Sequence, residues 1–128
     1  MADVNRGNRP LSPHLSIYNQ SYTGTLSILT RITGVGMTLA IILVVWWFLA
    51  ASTNADYFAT VDGFLNSWFG GLIMIGSLWA MWYHACNGVR HLVWDTGAGM
   101  DLETVQKSGW VVIGASVVLT VITLIAAF

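Results

Sequence analysis

His84, Gly88 and His91 are four and three residues apart, so an α-helix presents all three on one face with the glycine as a notch between two imidazoles. Arg90 adjoins His91, and Asp95 follows it by four. An imidazole is an axial ligand for haem iron or a hydrogen-bonding group, while arginine and a second histidine suit carboxylates such as haem propionates. This polar stretch ends a long apolar run, where a charged side chain costs roughly 2.5 to 3.5 kcal/mol on insertion scales and therefore pairs with or binds something.

Of the 128 residues, 55% are hydrophobic and 9% charged, against about 25% charged in an ordinary soluble domain. The composition is that of an integral membrane protein. Net charge −1 excludes the basic footprint of nucleic-acid binding. The expected class is all-α, with three transmembrane helices over about 26–51, 64–94 and 109–128, each near the roughly 20 residues that cross a bilayer. Residues 1–25, which include Pro10 and Pro13, form a polar N-terminal segment expected to be irregular and outside the membrane core. It lacks the apolar stretch of a signal peptide, and it carries Asp3, which does not suit a transit peptide.

All five basic residues fall on one side of this layout. Arg6, Arg9 and Arg31 precede or open the first span, and Arg90 and Lys107 flank the connection from the second to the third. The connection from Ser52 to Leu65 carries Asp56 and Asp62 and no basic residue. The N-terminus and the second loop are thus expected to be cytoplasmic, with Trp46, Trp47, Trp68, Trp94 and Trp110 as an aromatic belt.

In that orientation His84 lies ten residues before Trp94, about 15 Å along the axis, and His91 lies near the interface. A buried histidine either hydrogen-bonds a neighbouring helix or ligates a metal, and spacing leaves both open. Bis-histidine ligation of a haem needs a second imidazole across the ring. The two other histidines cannot supply it, His91 being on the same helix and His14 lying before the first span. A second ligand would come from another chain.

The first span has a polar face of Ser27, Arg31, Gly34 and Thr38 at steps of four, three and four. Ser27 and Arg31, one turn apart, suit a carbonyl ligand; Arg31 equally suits snorkelling to the interface. Gly34, Gly36 and Ala40 permit close approach of another helix. Asp95 reads as a solvated helix end or a proton-relay group, and the single cysteine, Cys86, as a packed thiol.

Taken together, Arg9-Pro10-Leu11-Ser12-Pro13-His14-Leu15-Ser16-Ile17-Tyr18, Ser27 to Arg31 with Gly34, and His84 with Gly88, Arg90, His91 and Asp95 closely resemble the cytochrome b subunits of succinate dehydrogenase, the succinate:quinone oxidoreductase of respiratory complex II. The resemblance covers most of the chain. It implies a three-helix anchor that shares its bundle with a second small membrane subunit and docks an iron–sulfur subunit and a flavoprotein on the inner face. One haem b between the two anchors is implied, with His84 as the axial ligand to its iron and the other ligand in the partner. His91 and Arg31 match propionate contacts, and Ser27 and Arg31 match the lining of the quinone pocket, with Asp95 nearby. The proline-rich segment would pack on the iron–sulfur subunit. The chain itself would not oxidise succinate. Many relatives have histidine before the arginine, as a further propionate contact; here Thr30 stands there.

The implied location is a bacterial inner membrane rather than a mitochondrial one. Two other classes fit the residues alone: a cytochrome b that binds haem between two copies of itself, and a haem-free structural anchor.

Overall fold

The computed structural model describes Leu15 and residues 18–127, and among these all regular structure is helical. Four helices occur in chain order: α1 (Tyr22–Thr53), α2 (Ala55–Leu65), α3 (Trp68–Asp95) and α4 (Leu102–Ala127). The Arg9–Pro13 part of the proline-rich segment, and His14, lie outside the described residues.

α1 and α4 begin earlier than hydropathy suggests, because polar first turns are capped, whereas α3 begins later, at Trp68 rather than Phe64, because Phe64 and Leu65 end α2. Ser21 Oγ accepts from Gly24 N at 3.1 Å, which starts α1 at Tyr22 rather than Leu26. Asp101 Oδ2 accepts from Thr104 N at 2.9 Å and starts α4 two turns before Gly109. The expected connection from Ser52 to Leu65 is itself largely a helix. Asn54 leaves α1 with extended backbone and caps α2, its Oδ1 accepting from Tyr57 N at 2.8 Å. α2 is then tied back to α1 by bonds from Trp46 Nε1 to the Tyr57 hydroxyl at 2.7 Å and from Trp47 Nε1 to Asp62 Oδ1 at 2.9 Å.

α1 and α4 are each long and apolar enough to cross a membrane. α3 meets that description only together with α2, from which it bends by 72°. The polar residues His84, Asn87, Arg90, His91 and Asp95 in its second half lower its apolar character. The described residues thus form four helices with two candidate spans, or three if α2 and α3 together make one.

α3 is the central helix, antiparallel to both neighbours. Its end lies beside the start of α1, where the Tyr83 hydroxyl donates to Leu26 O at 3.1 Å. It also lies beside the start of α4, where Arg90 meets Ser108. α4 buries Gly109, Val112, Ser116 and Thr120 at steps of three, four and four. Ser116 and Thr120 satisfy their hydroxyls on carbonyls of their own helix, so this stripe packs as a row of small residues. One core cluster, Leu26, Tyr83 and Val112, joins all three long helices. A second, Ala50, Val61 and Leu65, seals the α2 end. Arg31, Arg90 and Lys107 consequently share one end of the bundle, and Asp56 and Asp62 the other.

Candidate functional site

α3 buries Ala80, Tyr83, Asn87 and Arg90 at steps of three, four and three. His84 and His91 sit one residue further round, about 100° away, so the ligand-type face borders the buried stripe instead of forming it. The packing of this stripe determines how each imidazole is held.

His84 is half-buried against α1. Its Nδ1 lies 3.2 Å from the Thr30 carbonyl oxygen and 3.4 Å from Thr33 Oγ1. A carbonyl only accepts, so a neutral ring in this contact carries its proton on Nδ1 and its lone pair on Nε2. Metal-ligating histidines are commonly held in this way, and the bond also raises ligand basicity. The residues thus fit one axial face of a haem. Gly34 eases the approach, since a Cβ there would stand 3.2 Å from His84 Cε1, a tight contact. At Gly88 a Cβ would meet nothing within 4 Å, so the notch beside His84 is open.

His91 is exposed, with Nδ1 2.8 Å from Asn87 O and its ring 5.0 Å from that of Trp94. Ser27 and Arg31 are exposed on α1, and Asp95 is the exposed last residue of α3. All lie towards the same end of the bundle, but among the described residues no hydrogen bond joins Ser27 or Arg31 to His91 or Asp95. Cys86 is half-buried and packs on the Leu26–Tyr83–Val112 cluster, as a packed thiol does.

Arg90 differs from its reading as a surface partner for carboxylates. It is 8% exposed. Its guanidinium donates to Ser108 Oγ at 2.9 Å, Val105 O at 2.7 Å and Asn87 Oδ1 at 3.3 Å, and lies 4.1 Å over the Trp94 ring. It is the bolt between α3 and α4. Asn87, only 1% exposed, was not singled out by spacing because it lies beside the His84–Gly88–His91 face. Its Nδ2 donates to Thr30 Oγ1 at 2.6 Å. The three-residue step from Asn87 to Arg90 was the available signal. A cleft of about 760 Å³ opens at the α2 end, lined by Trp47, Phe48, Asp62, Met74 and Leu78 among others; none of the expected site residues lines it.

The chain is similar to proteins whose names bear on this geometry. A family model described as the succinate dehydrogenase/fumarate reductase transmembrane subunit matches residues 5–123. The succinate dehydrogenase cytochrome b556 subunit of Paracoccus denitrificans is 50% identical over 128 residues, 100% of this chain and 98% of that protein. The corresponding b556 subunit of Rickettsia felis is 39% identical over 114 residues, 89% of each chain. The succinate dehydrogenase cytochrome b560 subunit of Reclinomonas americana is 36% identical over 120 residues, 90% of this chain and 83% of that one.

Proposed function

Because the chain belongs to the succinate dehydrogenase/fumarate reductase transmembrane subunit family, we propose that it is the haem b-binding anchor of a succinate dehydrogenase. It spans a bacterial inner membrane three times with its N-terminus cytoplasmic. A second anchor subunit would hold the haem from the opposite side, and a flavoprotein and an iron–sulfur subunit dock on the cytoplasmic end. The observation that carries the reading is the His84 ring, held by Nδ1 on a backbone carbonyl inside an apolar bundle with Nε2 left as the lone-pair atom. When bound, haem b supplies one-electron storage within the membrane.

The chain's own residues then hold and orient. His84 would hold the iron through Nε2. His91 and Arg31 would hydrogen-bond the propionates from the interface end. Ser27 exchanges a hydrogen bond with a quinone carbonyl, and Arg31, always charged, stabilises negative charge developing on the quinone oxygen. Asp95, exposed at the same end, is placed to pass a proton from water. This chain takes no part in succinate oxidation.

The His84–Thr30 bond is also what a purely structural histidine makes, so a haem-free anchor is the competing reading. Purification of the tagged chain in mild detergent decides between them. The expected result is co-purification of flavoprotein, iron–sulfur protein and a second small subunit, with a reduced b-type spectrum that His84→Ala abolishes. An unchanged haem spectrum in His84→Ala, or a complex without haem, defeats the assignment. A preparation containing only two copies of this chain identifies a different cytochrome.

A further inference from the structure

The bonds around Asn87 have only one possible sense. Arginine can only donate, so the Asn87 amide must turn Oδ1 to Arg90 Nη1 and Nδ2 to α1. Nδ2 therefore donates to Thr30 Oγ1, which in turn donates to Leu26 O at 2.9 Å, where the Tyr83 hydroxyl also converges. Arg90 is itself fixed by Ser108 and Val105 of α4. The Thr30 carbonyl is the atom that receives His84 Nδ1. The hydroxyl and the carbonyl of Thr30 are thus both contacted by α3, one by Asn87 and one by His84, the carbonyl also taking a hydrogen bond from Thr33 Oγ1 at 3.0 Å.

We infer that Asn87 is a positioning residue for His84: through Thr30 Oγ1 it sets the register of α1 against α3 and so holds the carbonyl that orients the imidazole. This gives Thr30 a role that needs no contact with a propionate. The inference rests on the haem reading above. Because the Nδ1 bond raises ligand basicity, loosening it favours the reduced iron.

The test uses the complex purified with Thr30→Val, Thr30→Ser, Asn87→Leu and, as a control, Thr123→Val. The last removes the acceptor of a comparable interhelical bond, Trp82 Nε1 to Thr123 Oγ1 at 3.0 Å, outside the cluster. Redox titration of the haem and low-temperature electron paramagnetic resonance are the readouts. Thr30→Val and Asn87→Leu are expected to move the midpoint potential in the positive direction and to shift the largest g value, while Thr30→Ser and Thr123→Val stay at the wild-type position. Wild-type signals in both Thr30→Val and Asn87→Leu overturn the inference, as does an equal shift in Thr123→Val. Failure of both Thr30→Val and Asn87→Leu to assemble, with Thr30→Ser and Thr123→Val intact, makes the cluster merely structural and also overturns it. A wild-type complex without haem overturns the parent reading instead.

Discussion

Arg90 and His91 are adjacent in sequence yet do opposite work, because a helix turns about 100° per residue. One side chain enters the α3–α4 seam and the other faces outward. Removing Arg90 leaves Asn87 Oδ1 without its donor in a buried seam, which costs about 1–3 kcal/mol. Arg90→Ala is accordingly expected to lower the thermal unfolding midpoint of the detergent-solubilised complex. Arg90→Ala complexes with unchanged stability would return this arginine to the surface role that the sequence suggested.

Among the elements, α4 owes its start to Asp101. Its carboxyl titrates below the usual carboxylate range, chiefly because the Thr104 N–H bonds the charged form. A lowered folded-state value means the cap contributes stability above the ordinary carboxylate value of about 3.9 and loses it as pH falls through the lower folded value. Asp101→Ala should therefore reduce stability at pH 7, and the gap from wild type should close in strongly acidic buffer; a gap independent of pH would rule out the charged cap. At the other end, α2 and α3 meet closely. A Cβ at Gly70 would run into the Phe64 and Leu65 carbonyl oxygens. Gly70→Ala is expected to cost about 1–3 kcal/mol as an overpacked turn, read as a lowered unfolding midpoint, whereas a wild-type midpoint would show that the turn can open. Gly97 and Gly99, at φ 80° and 70°, make the left-handed turn between α3 and α4.

For the whole molecule, the proposed topology puts the end carrying Arg31, Arg90 and Lys107 and the α2 end carrying Asp56 and Asp62 on opposite sides of the membrane. In a Cys86→Ser background, Gln106→Cys should react with an impermeant maleimide only from the cytoplasmic side, and Thr60→Cys only from the other. The reverse pattern would invert the proposed orientation. α1 leaves Ile32, Val35, Leu39, Ile42 and Phe48 each more than half exposed, an apolar surface suited to lipid or a neighbouring helix. At the α2 end a Trp47–Asp62 hydrogen bond ties α2 to α1, while Ser27 and Arg31 at the other end stay exposed.

Composition and apolar run length were enough to determine a helical membrane protein, and the spacing of His84, Gly88 and His91 was enough to put them on one face, because both follow from local periodicity. Helix starts were less legible: hydropathy passes over polar turns that Ser21, Asn54 and Asp101 cap one hydrogen bond at a time. The role of Thr30 was not legible at all. It depends on Asn87 and His84, 57 and 54 residues away in sequence, and only the packing of α3 on α1 brings its hydroxyl and its carbonyl within their reach. Arg90 likewise became a bolt rather than a surface charge because α4 returns beside α3 and offers Ser108 and Val105 where water would otherwise have been.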